Sequence, residues 1–103
     1  MKKIITIEGR QTTYYSTNLC SYGEKGDYEL FPSEEQKLDM IKLKDRLLLF
    51  TSVKGSNLAV QFIYADTKVT IYEEGRLLLL GVTPDTHEQA FKILLRILNL
   101  SDK

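Results

Sequence analysis

Residues 68–82 read KVTIYEEGRLLLLGV, and this stretch decides the architecture. Val69 and Ile71 alternate with Thr70 and Tyr72, the period of a strand. Glu73-Glu74-Gly75 then makes a hairpin, with glycine at the left-handed position of a bulged turn, and Arg76 to Val82 returns as the partner strand. Upstream, Asp66-Thr67 turns out of a strand from Leu58 to Ala65 that places Leu58, Val60, Phe62 and Tyr64 on one side. Lys54-Gly55-Ser56-Asn57 is a further turn, preceded by a strand from Arg46 to Val53. Strands joined by such short turns form an antiparallel meander. Downstream, Thr83 is a good N-cap and Pro84 suits the first helical position, so a helix is expected to run to about Leu100.

The N-terminal half gives weaker signals. Lys2 to Glu8 reads as a strand, with Ile5 and Ile7 on one face and Ile4 and Thr6 on the other. Gly9 makes a bulge or a turn, and Thr12 to Thr17 is rich in Thr and Tyr, which favour a pleated surface. From Asn18 to Asp27 the pattern dissolves into a loop marked by Gly23 and Gly26. Ser33 to Gln36 has the form of a capping box, and Glu34 and Glu35 complement a helix dipole, so a short helix is expected from about Glu34 to Leu43. The competing reading is a strand from Leu38, because Ile41 and Leu43 alternate with Lys42 and Lys44. The expectation is one α+β domain over residues 1–103: an antiparallel β-meander sheet with a short helix after the first strand and a long C-terminal helix (β-α-β-β-β-β-α), both helices on one face.

Hydrophobic residues are 43% of the 103-residue chain and charged residues 27%, with 14 basic against 14 acidic side chains. That balance belongs to a globular domain rather than a disordered one. A chain that grips phosphates usually carries a basic excess; zero net charge argues against a strong nucleic-acid grip and lowers the barrier to self-association. Cys20 is the single cysteine, so no internal disulfide forms. With no apolar run long enough for a signal peptide or a bilayer span, a cytoplasmic location without membrane association is expected.

Two surfaces do not fit a lone domain. In the last helix Glu88, Lys92, Arg96 and Asn99 form a narrow polar stripe, while Phe91, Leu94, Leu95 and Leu98 belong to an apolar arc much wider than one sheet requires. That arc is flanked by the other helix or buried against another chain. The strands Arg46–Phe50 and Leu77–Leu80 are apolar on both sides, where an antiparallel sheet with a wet face should alternate. With both helices on one face, the other carries Ile63, Thr70, Tyr72, Leu78 and Leu80, unless the Thr12–Thr17 segment or the long loop folds over them. Contiguous exposed apolar area marks a binding surface.

Chemistry is sparse. His87 is the only histidine, and a structural zinc site needs several His or Cys at ligand spacing. Its plainest reading is an exposed residue at a helix start. Glu34-Glu35 and Glu73-Glu74 read as dipole complement and turn solvation, and no phosphate loop appears. No catalytic residue, metal or cofactor is expected.

The segment Val69–Gly81, a hairpin with glycine and a basic residue followed by a helix, resembles the "LIFxSGKxxxTG" segment of the TATA-box-binding-protein repeat. Related segments occur in other domains of that fold. The resemblance covers about thirty residues and implies a single such repeat whose sheet face takes nucleic acid. Tyr72, Leu78 and Leu80 would then face the ligand, with Tyr72 at the position of a phenylalanine that wedges between base steps. Leu80 stands where the family keeps a threonine, and the chain holds one repeat instead of two. The leading expectation is therefore a non-enzymatic protein-binding or adaptor module (an inhibitor among the options), pairing with a protein partner or forming a homodimer through the sheet face or the last helix. A nucleic-acid-binding domain using the same sheet face is the alternative.

Overall fold

The computed structural model describes the backbone of residues 1–7, 9–56 and 58–101, and the side chains of all of these except 7 and 99–101. Its strands are β1 (Lys2–Ile7), β2 (Arg10–Tyr22), β3 (Lys25–Pro32), β4 (Lys54–Gly55), β5 (Ala59–Tyr64), β6 (Thr67–Tyr72) and β7 (Leu77–Val82); the helices are α1 (Met40–Leu47) and α2 (His87–Ser101). The strands form one antiparallel sheet in the order β1-β2-β3-β7-β6-β5-β4. Two meanders, β1–β3 and β4–β7, thus meet where β3 pairs with β7. The chain crosses between them through α1.

The class is α+β with a short internal helix and a C-terminal one, as the sequence implies, but three strands precede α1 instead of one. Beyond Thr17 both faces of β2 are exposed and mix Leu19, Cys20 and Tyr22 with Asn18 and Ser21, so no alternation betrays the hairpin. Its polar groups answer one another: Asn18 Nδ2 donates to the Cys20 and Asp27 carbonyls at 3.4 Å, across a bulge between Asn18 and Cys20. The expected loop from Asn18 to Asp27 is therefore two strands and a tight turn at Gly23, where φ is +62°.

Helix α1 starts six residues later than the capping box suggests. Residues 36–38 are committed elsewhere: the Gln36 and Leu38 amides donate to the Glu74 and Glu73 carbonyls at 3.0 and 2.9 Å. A helix from Glu34 would forfeit those bonds. Asp39 is the actual cap, its Oδ1 accepting from the Lys42 amide at 3.1 Å. Met40, Leu43 and Leu47 then share one stripe and are buried. The strand expected over Arg46–Val53 is instead the end of this helix and a following turn, held by the Phe50 and Thr51 amides on the Leu47 carbonyl at 3.0 Å. At the last helix Thr86 caps instead of Thr83, accepting from the Gln89 amide at 3.1 Å, so Pro84 lies before the helix.

Alternation assigns the core. Val60, Phe62, Val69, Ile71, Leu77, Leu79, Leu30, Tyr28 and Tyr14 point to one side of the sheet, where they meet Met40, Leu43 and Leu47 of α1 and Ala90, Phe91, Leu94 and Ile97 of α2 in a single buried cluster. Both helices lie on this face, and they touch each other. Gly75 sits at φ +97° in the β6–β7 turn and its carbonyl accepts from the buried Tyr14 hydroxyl at 2.8 Å, which ties that hairpin to β2.

Candidate interaction surface

Among the described residues no helix lies on the opposite face of the sheet, and Thr12–Thr17, the segment that could have covered it, is part of β2 within the sheet. Register places the sequence-predicted residues on this open face as near neighbours. Thr70 pairs with Leu78, Lys68 pairs with both Leu80 and Ile63, and Tyr72 pairs with Ala59. They differ in accessibility. Ile63 is 55% exposed, Leu78, Leu80 and Tyr72 are half-buried, and Thr70 is buried at 5% beneath its neighbours. The Arg76 guanidinium lies 3.9 Å from the centre of the Tyr72 ring and also reaches Glu29 and Glu74 at 3.4 Å. The cation over this ring is thus already neutralised.

The face extends beyond what the sequence reading assembled. Leu78 is followed across the sheet by Glu29 and Thr17, and the Tyr15 and Phe31 rings stack with centroids 5.5 Å apart. Ile4, 66% exposed, continues it onto the edge strand. Phe31 and Tyr15 were missed because the expected loop from Asn18 to Asp27 left β2 and β3 unpaired, and only that pairing puts the two rings side by side.

The helix proposed as an interface is placed differently. Phe91, Leu94 and Leu98 are at most 4% exposed, inside the chain's own core. The wide apolar arc of α2 is occupied by α1 and the sheet, and Leu95 alone of the four is part-accessible. The apolar residue Leu100 and the polar Asn99 lie outside the described side chains.

A polar cluster surrounds the start of α2. Asp85 Oδ1 accepts from the Tyr28 hydroxyl at 2.6 Å and from Asn18 at 3.4 Å. Gly26 makes this approach feasible, since a Cβ there would overlap the Asp85 carboxylate. The Tyr28 hydrogen bond holds the Asp85 carboxyl below its usual range. Burial and the neighbouring carboxylate push the Tyr28 phenol up to about 12. On the exposed side of this hairpin, Tyr22 donates to Asp27 Oδ1 at 2.7 Å, and that bond raises its phenol too. His87 is half-buried, its Nδ1 2.8 Å from Ser16 Oγ and its ring edge-on to Tyr28 at 5.2 Å, so the reading of an exposed helix-start residue is corrected. Ser16 is 3% exposed, and the nearby acid bonds to Tyr28. A buried hydroxyl beside an imidazole that no acid orients among the described residues is not the geometry of a triad. Among the described residues no group of three or more His, Cys, Asp or Glu is placed to hold a metal ion, and no helix is long and apolar enough to cross a membrane.

Comparison with protein-family models, with curated proteins and with solved structures finds no match for this chain. The resemblance to the TATA-box-binding-protein repeat is thereby neither supported nor refuted.

Proposed function

We propose that the chain is a non-enzymatic protein-binding module of the cytoplasm that docks through the open face of its sheet, with a second copy of itself as the first partner to test. One observation carries this reading: both helices lie on the same face, which leaves Ile63, Leu78, Leu80 and the Tyr15–Phe31 stack on the other. Apolar area of that kind on a net-neutral chain favours association. An adaptor or an inhibitor would use such a face in the same way. The exposed, unpaired Cys20 suits a reducing compartment.

The test is the solution mass by light scattering over a range of concentration and salt, for the natural chain and for Tyr15→Gln with Leu78→Gln. A dimer that the double variant splits supports the reading. A monomer at every concentration removes self-association. A salt-sensitive shift of DNA by the natural chain, lost in Tyr72→Ala, would replace the protein-binding reading with the nucleic-acid one that the family resemblance implies.

A further inference from the structure

A second surface lies at the far edge of the sheet, away from the Tyr15–Leu78 region. The turn after α1 leaves Leu48, Leu49 and Phe50 52%, 78% and 68% exposed. Beside it, β4 pairs with β5 only at Val60 and Gln61. Beyond that point the outer edge of β5 meets no strand among the described residues, and the Ile63 carbonyl accepts from the Thr51 hydroxyl at 3.4 Å. Between the turn and this edge runs a groove of about 390 Å³ with Leu47 and Phe62 at its base and Phe50, Ile63 and Ala65 along its walls. It continues on one side into a depression of about 240 Å³ that shares Phe62 and Ile63, and on the other into one of about 140 Å³ that shares Tyr64, Ala65 and Arg96. All three are partly open to solvent, and none is an enclosed small-molecule cavity.

The charges lining this strip are of one sign. Lys54 and Lys68 border one end, and Lys92 and Arg96 the other. All four are exposed. Among the described residues the ion pairs belong to Arg76, and no acidic side chain lines any of the three depressions. Asp66, in the turn beside Ala65, is the nearest acid in sequence. In a chain with 14 basic and 14 acidic residues, four cations around one apolar groove, none of them in an ion pair among the described residues, are a local excess that an anionic partner would complement.

We infer that this groove binds an extended acidic peptide segment of a partner protein. An apolar side chain of the peptide enters between Phe50 and Phe62, and flanking Asp or Glu carboxylates meet Arg96 and Lys92 at one end and Lys54 and Lys68 at the other. The apolar floor sets this apart from a phosphate-backbone site, which would need donors rather than Leu47 and Phe62 at its base. The groove shares Ile63 and Lys68 with the open face. Phe50, Lys92 and Arg96 line it away from that face, so variants at Phe50 and Arg96 test it apart from self-association.

Short random peptides displayed on phage, selected on the full chain, are the probe. Selection is expected to enrich sequences combining Asp or Glu with one large apolar residue. The leading peptide, synthesised with a fluorescent label, should lose about three- to tenfold in affinity on Phe50→Ala and on Arg96→Glu. Both positions are exposed, so both variants should keep the natural circular dichroism and melting curve. Tyr15→Gln with Leu78→Gln should retain the affinity whether or not it changes the solution mass. No enrichment, enrichment of basic peptides, displacement of the peptide by oligo(dT), or equal affinity in Phe50→Ala and Arg96→Glu would each overturn the assignment.

Discussion

The two faces of strands β6 and β7 are built from the same short stretch of chain, yet they do different work. On the covered face Val69, Ile71, Leu77 and Leu79 are 0% exposed beneath the helices. On the open face Leu78, Leu80 and Tyr72 are half-buried, sheltered by one another and by Arg76 rather than by a second layer. Four consecutive leucines give no periodic hint of which pair lies inward. What distinguishes them is the crossover through α1, which brings both helices to one side. The lesson is that an apolar residue in this sheet acquires its role from topology, and its energetic weight follows from what lies opposite.

The largest expected effect tests that difference directly. Leu79→Ala should lower unfolding stability by about 2–5 kcal/mol, because the cavity forms between the sheet and the helices, where little can collapse into it. Leu80→Ala, on the same strand but half-open to water, should cost about 1 kcal/mol or less. Urea denaturation of both variants measures the gap. Equal costs would mean that the open face is packed as tightly as the core, and the distinction between the faces would collapse.

A smaller effect, confined to alkaline pH, tests how firmly α2 is tied to the covered side. Tyr28 holds its proton up to about 12 in the folded chain, whereas an unfolded tyrosine loses it near 10. Between those values the unfolded state binds fewer protons, so stability falls as pH rises. The contribution is complete below pH 10 and gone above about 12. Tyr28→Phe should flatten this decline, though not abolish it, because burial also holds the Tyr14 phenol protonated well above its usual range. Denaturation midpoints between pH 9 and 12 would show the change in slope, and an unchanged slope would detach Asp85 and Tyr28 from the stability of this corner.

The C-terminal half of the fold was legible because its signals are local. Gly75 needs the left-handed region and β6 before it alternates, so the β5–β6–β7 meander could be read within a residue or so at each end. The open-face positions Ile63, Leu78 and Leu80 followed from that meander once both helices were assigned to one side. In the N-terminal half the first strand, read over Lys2–Glu8, is β1, and Thr12–Thr17 lies in β2, but β3 and the true start of α1 were not legible, since they are fixed by partners remote in sequence. Strand β3 exists because β7 and β2 flank it, and Gln36 is kept out of a helix by Glu74. The exposed turn at Leu48–Phe50 was read as a strand because an apolar run carries no record of whether it will be covered. Two features of the candidate surfaces therefore emerged only with the fold: the Tyr15–Phe31 stack and the groove beside Ile63.

The smallest stability effect belongs to Arg76. Its guanidinium covers the Tyr72 ring and contacts Glu29 and Glu74, but its side chain is 38% exposed and both ion-pair distances are 3.4 Å. Exposed pairs and surface cation–π contacts of this kind are worth about 0–1 kcal/mol. Arg76→Ala should therefore move the denaturation midpoint little. What it removes is the polar cover of the open face: the Tyr72 ring is bared, and Glu29, between Leu78 and Thr17, loses its counter-charge. If the face mediates self-association, baring Tyr72 enlarges the apolar contact while freeing two like charges that oppose it. Sedimentation at low and high salt separates these contributions, because salt screens the carboxylates and leaves the apolar gain. Association strengthened at high salt with stability unchanged is the expected result. An unchanged mass in both conditions, with a natural chain that dimerises, would mean the dimer forms elsewhere than around Tyr72.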